Sequence, residues 1–440
     1  MDDTNLLFIG AILSVALGGM ALRLVRANKK LDWNEAIAAH ILCLMFITKG
    51  IQNASTAYFN QALETSESHW QFWVSISMSM DYIFTGSALA IALLYPVPLL
   101  RTIKQVKVGL SLVGGFTLFC LGLDVVGLNL TALGLPGLLY YAVAIIWGGV
   151  YVKFRLIDPE KRNDSTRNVA LVSGLFMTLI LGHVWMWWPG LILQSNYFYF
   201  FDLGGGALTS SLWDFMWLSG YAIGIGAGLT MLGIEIYLAL SGDANKLLYV
   251  LLPYFVLGLI GYSIYSRGDD AGFIIDATSS DIIDLWSVFT TSLHFTVIRP
   301  IIAMYILLKF GLFDINEKTK PMAKLMSIIL IVVATSALLE LLQSVLPINQ
   351  MISAALLGII IALGLGWEEK SFHGLVTDPA DVRIGLDKKW FPELDIPRKY
   401  ISRIDVACMI YCIIAVLVAF LIWKMDILIE LATTRMGGAE

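Results

Sequence analysis

Two pairs of opposite charges lie deep inside apolar stretches of this chain. Lys49 sits 13 residues into the run that begins at Ala36, and Asp81 lies 15 residues before Pro96 in the next run, which must return in the opposite direction. At about 1.5 Å per helical residue, both groups come out roughly 20 to 22 Å from the same end of the helix pair, so they can meet. A lone charge at that depth in a bilayer costs at least about 2.5 kcal/mol, which makes pairing the cheapest way to keep both. Arg299 and Glu340 repeat the arrangement late in the chain: counted from Phe313 and Leu325, both lie roughly 21 to 22 Å deep. Asp124 and His183 fall near the same depth. Titratable groups collected in one layer suit a proton or cation pathway, and the competing expectation is a set of pairs that merely fixes helix packing.

Polar side chains surround these charges. Gln52, Asn53, Thr56 and Asn60 share with Lys49 about 100° of one helical face. Ser77, Asp81 and Thr85 follow one another at spacing four on the next helix, so the two helices make a polar seam. His294 precedes Arg299 on one helix side, Pro300 should kink that helix at the charge, and Gln343 accompanies Glu340. Gln52, Asn53, Thr85, Asp214, His294 and Gln343 are the candidates for binding a substrate. Ligation of a haem by His183 and His294 is the weakest of the readings these residues allow, and no cofactor or metal is expected.

The elements that position these groups follow from composition. The chain is 58% hydrophobic and 14% charged with a mean hydropathy of +0.77, whereas soluble domains are about 25% charged. The fold class is therefore all-α, a polytopic integral membrane protein. The net charge of −5 says little, since topology depends on where Lys and Arg fall, and no basic tract suggests nucleic acid. Cys43, Cys120, Cys408 and Cys412 all lie in apolar runs and read as small buried hydrophobes. The first apolar run carries its positive charge behind it (RLVRANKK), the reverse of a cleavable signal peptide, and is expected to stay as a span.

Runs of about 20 apolar residues give twelve spans, at 5–26, 36–62, 72–97, 108–131, 136–156, 168–191, 208–240, 247–265, 282–312, 325–346, 351–367 and 405–431. With the N-terminus outside, 24 of the 29 Lys and Arg fall on the inner side, which fixes both termini outside. The chain reads as a single membrane domain over 1–440, divisible into a seven-helix bundle (1–246) and a five-helix bundle (247–440). The outer loops are acidic (Glu64, Glu67, Asp202, Asp269, Asp270, Asp276, Asp281), chiefly a solvated rim. The inner loop 368–405 mixes Pro, Asp, Lys and aromatic residues and is expected to lie on lipid headgroups, with docking of a cytoplasmic partner as the alternative. His40 and Glu235 are placed near the inner interface, Glu235 within reach of headgroups. The glycines at 204–206 break the chain before a helix start that could hold an anion, or form a flexible turn.

Glycine-lysine phosphate loops, HExxH, paired CxxC and serine elbows are all missing, so no catalytic residue is assigned. The stretch MDYIFTGSALAIALLYP resembles the third helix of microbial rhodopsins, and Asp214 resembles the aspartate four residues before their retinal lysine. That position is Leu218 here, which forbids a retinal Schiff base; the resemblance covers a handful of residues and assigns no family. The expected function is a secondary transporter of a small solute, coupled to protons or another cation through the buried ion pairs. The alternatives are a seven-helix-type receptor or sensor subunit signalling through a partner, and an integral membrane enzyme acting on lipid. Membrane lipids and a small molecule or ion are the expected partners, and the cell membrane the expected location.

Overall fold

The computed structural model describes residues 3–65, 67–192, 211–266, 294–330 and 380–427. Regular structure among the described residues is helical throughout: α1 (Asp3–Ala27), α2 (Trp33–Glu64), α3 (Trp70–Leu94), α4 (Ile103–Val125), α5 (Asn129–Arg155), α6 (Asp164–Trp185), a short α7 (Trp188–Ile192), α8 (Ser211–Leu240), α9 (Leu247–Ser266), α10 (Arg299–Lys309), α11 (320–330) and α12 (Ile401–Lys424). Eight of them are long and apolar enough to cross a membrane, and a shorter apolar stretch, Leu247–Ser263, lies in α9. The expected spans from 5–26 to 247–265 and the one at 405–431 each fall on a helix. Of 282–312 and 325–346 only part lies within the described residues, and 351–367 lies outside them.

Boundaries move where local hydrogen bonding decides. The fourth helix starts at Ile103, five residues before its expected start, because Thr102 and Gln105 close a reciprocal cap: Thr102 Oγ1 accepts from the Gln105 amide at 3.2 Å and Gln105 Oε1 accepts from the Thr102 amide at 3.1 Å. Asn163 begins α6 in the same way, accepting from the Thr166 amide at 2.9 Å. Gly242, at φ +83°, ends the run after α8 and sets Asp243 just beyond it. The distortion expected at Pro300 takes a specific form, a π turn over His294–Ile298 that runs directly into α10. Proline lacks the amide that would continue regular bonding through this point.

The centre of the bundle is α6, buried along nearly its whole length from Ser165 to Trp185. Trp185 at its end, and Trp147 and Trp187 elsewhere in the bundle, are fully enclosed. α5 and α8 touch backbone to backbone, since a Cβ on Gly220 would stand 2.2 Å from the carbonyl oxygen of Gly137. Only a residue without a side chain permits that approach.

The described part of the long inner loop, 380–404, packs against the protein itself. It folds back across the Lys- and Arg-rich end of the bundle: the Ala380 amide donates to Lys309 O at 2.7 Å, Arg101 to Lys389 O at 3.1 Å and Arg398 to Asn28 O at 3.0 Å. Trp33 Nε1 donates to Pro392 O at 3.0 Å, and Arg383 pairs with Asp32 and Glu35. Open carbonyls and carboxylates at the helix ends thus serve as partners for this basic, aromatic strap. The remaining part, 368–379, lies outside the described residues.

Candidate functional site

Where α2, α3, α6 and the π turn meet, the bundle encloses four nitrogen-bearing side chains: Lys49, His183, His294 and Arg299, each no more than 6% exposed. Lys49 of the first expected seam and His294 and Arg299 of the second thus share one centre. Lys49 Nζ lies 5.6 Å from the ring centre of Phe84 and 4.4 Å from that of Phe295, and the Arg299 guanidinium lies 4.5 and 4.1 Å from the same two rings. All four distances are within cation–π reach, and such contacts reach about 2 kcal/mol when water is excluded.

The expected Lys49–Asp81 ion pair is replaced by a bridge. Lys49 Nζ donates to Gln52 Oε1 at 2.6 Å, and Gln52 Nε2 donates to Asp81 Oδ1 at 3.3 Å and to Ser77 O at 3.2 Å. Gln52 is one helical turn beyond Lys49 on the same face, and a primary amide has an acceptor for an ammonium and donors for a carboxylate. It therefore satisfies both charges without their touching. Thr56 extends the seam to the Ser77 hydroxyl at 2.8 Å. Asn53 is buried beside it with its Nδ2 unbonded among the described residues. Thr85 spends its hydroxyl on the α3 main chain, donating to Asp81 O at 3.0 Å, and so is occupied rather than facing a ligand.

Arg299 is held by backbone. Its Nε donates to Leu179 O at 2.6 Å and its Nη2 to Ile180 O at 3.1 Å, both on α6. Leu179 O also lies 3.4 Å from His294 Nε2, while His294 Nδ1 meets Tyr254 Oη at 3.1 Å. Both nitrogens of His294 are thus engaged, and its ring centre is 5.5 Å from that of His183. Gly182 makes this packing feasible: a Cβ there would stand 2.9 Å from both His294 Cε1 and Tyr254 Cε1. Glu340 and Gln343, the expected companions of Arg299, lie outside the described residues, as does the side chain of Asp214.

Asp124 stands in the last turn of α4 and joins a different cluster. Its Oδ1 accepts from Tyr82 Oη at 3.0 Å and from Asn129 Nδ2 at 3.3 Å, on the other side of α3 from Asp81. Glu235 is a correction as well. Instead of reaching headgroups it is fully buried against Arg155, with Nη2 to Oε2 at 2.9 Å and Nε to Oε1 at 3.0 Å, and Tyr151 Oη donates to it at 2.8 Å. Burial forbids an unpaired carboxylate, and the partner stands at the end of the neighbouring helix. His40 bonds Asp405, which also pairs with Arg26.

Sequence reasoning passed over Phe84, Phe295, Tyr254 and Gly182. Aromatic residues and glycines are common in apolar helices, and the single available signal was the glycine immediately before His183. The chain matches no family model, no curated protein and no solved structure.

Proposed function

We propose that this chain is a secondary transporter of a small solute, coupled to protons or another cation, with about twelve spans and both termini on the outer side. The observation that carries the reading is the Lys49–Gln52–Asp81 bridge, half-buried between the middles of two long apolar helices. A carboxylate held by one neutral amide, beside two cations that keep their own partners, can take up a proton or cation without stranding a buried charge. Uptake would release Gln52 from Asp81 and loosen the α2–α3 seam. Arg299, fixed to α6 carbonyls, would keep its place and repel a second cation. Alternation between these two states of the seam is the coupling step.

The test is charge movement by proteoliposomes on a solid support during pH jumps and on adding pooled amino acids, sugars, nucleosides, amines and metal cations. Current from the wild type that disappears in Asp81→Asn, with an unchanged melting temperature, supports the reading. Undiminished current in that variant removes Asp81 from the pathway.

The docking of 380–404 on the ends of several helices favours a second reading, a sensor subunit whose strap transmits helix movement to a cytoplasmic partner. Silence across the whole solute panel, with a soluble protein captured through 380–404, would favour it over transport.

A further inference from the structure

Between α4 and α12, closed below by the start of α12 and the end of the strap, the structure holds a groove of about 1030 Å³. That size is at the upper end of pockets that enclose whole small molecules. Its walls are apolar along most of their length. From Ile103 at one end to Leu118 at the other, α4 lines it along roughly 22 Å of helix, while α12 lines it from Ile401 to Ile414. That length suits an acyl chain lying along the helices.

Charge is confined to one end. Lys107 and Arg403 line the mouth and gather about a single ring, with Lys107 Nζ 5.5 Å and the Arg403 guanidinium 4.7 Å from the centre of Tyr400. Neither pairs with a carboxylate among the described residues, and Asp395 is the one acidic residue lining the groove. The N-termini of both α4 and α12 open at this end, adding the positive ends of two helix dipoles. Two glycines keep the interior free: a Cβ on Gly114 or Gly115 would meet nothing within 4 Å.

We propose that this groove is a binding site for an anionic phospholipid, its phosphate between Lys107 and Arg403 beside Tyr400 and its acyl chains along α4 and α12. An apolar trough with an unpaired basic mouth is the chemistry that recognises such a lipid. The site stands apart from the Lys49 centre, and it requires only that the chain live in a membrane.

The experiment is native mass spectrometry of the purified full chain in neutral detergent, titrated with dioleoylphosphatidylglycerol or dioleoylphosphatidylcholine. The anionic lipid should be retained about tenfold more tightly or better, the scale that two near-surface cations supply. Lys107→Ala with Arg403→Ala should reduce it to the level of the zwitterionic lipid. Gly115→Leu, whose Cβ would meet nothing within 4 Å and whose branched end would occupy the groove, should weaken both lipids about tenfold while leaving the lipid-free melting temperature at or above that of the wild type. Equal retention of the two lipids by the wild type overturns the proposal, as does indifference to both variants. Displacement of the anionic lipid by millimolar inorganic phosphate would make the mouth a free-anion site, and a dimer that excludes lipid would make the groove an interface between copies; either result also overturns it.

Discussion

Lys49 of α2 and Arg299 of α10 rest on the same two phenyl rings, Phe84 and Phe295. Two like charges share one aromatic layer, and each keeps polar partners of its own: an amide for Lys49, main-chain carbonyls for Arg299. Phe295→Leu should therefore weaken the seats of both cations at once. We expect a loss of about 1–2 kcal/mol in detergent-solubilised protein, with Phe295→Leu and Arg299→Met less than additive in a double-mutant cycle. Full additivity in thermal melts would mean that ring and guanidinium act independently.

Gly182→Ala should destabilise the centre by about 1–3 kcal/mol, because the added methyl meets His294 and Tyr254 at 2.9 Å. Gly114→Ala serves as its control: with nothing within 4 Å, the methyl should be neutral or stabilising by up to about 1 kcal/mol through helix propensity alone. The two melting temperatures, compared with the wild type, check both expectations.

The polar seam was legible in the sequence because a lysine or aspartate inside an apolar run must find a polar partner, and depth along a helix can be counted from its ends. Azimuth is harder to count across helices. Asp81 and its neighbour Tyr82 diverge by about 100° around α3, so Asp124, bonded to Tyr82, belongs to a different cluster. Glu235 was misplaced because position near a helix end says nothing of a partner on the next helix, here Arg155. The helix-end contacts of the strap 380–404 were not legible because its basic and aromatic composition suits lipid headgroups and helix ends alike.

Arg155 and Glu235 are both fully buried, so removing one strands the other. Arg155→Ala should cost roughly 3–5 kcal/mol. Arg155→Met combined with Glu235→Leu should recover much of that loss, since two apolar side chains leave only the Tyr151 hydroxyl and the Asp243 contacts to be resatisfied. Chemical or thermal unfolding of the single and double variants distinguishes a stabilising pair from one that is merely costly to break.

Asp243 lies just outside α8 and meets three guanidiniums: Arg155 at 3.0 Å, Arg167 at 3.0 Å and Arg162. Partial burial works against its charge, but Arg162, Arg155 and Arg167 prevail and hold its pKa below the usual carboxylate range. A folded pKa below the unfolded one means that the stabilisation is complete above about pH 4, the unfolded value, and is lost as pH falls through the folded value. Melting temperature measured against pH should therefore drop on the acid side, and Asp243→Asn should lower the plateau at neutral pH and flatten that drop.

The π turn at His294–Ile298 has an angular consequence. Five steps of a regular α-helix would point His294 and Arg299 roughly 140° apart. Widening one turn to i→i+5 bonding takes up an additional residue and swings them back toward one side. This is why a single carbonyl, that of Leu179, faces both, at 3.4 Å from His294 and 2.6 Å from Arg299. The extra residue works as a gear tooth: shortening the turn by one would rotate everything beyond it, carrying the Arg299 head away from α6 while His294 stayed in mesh.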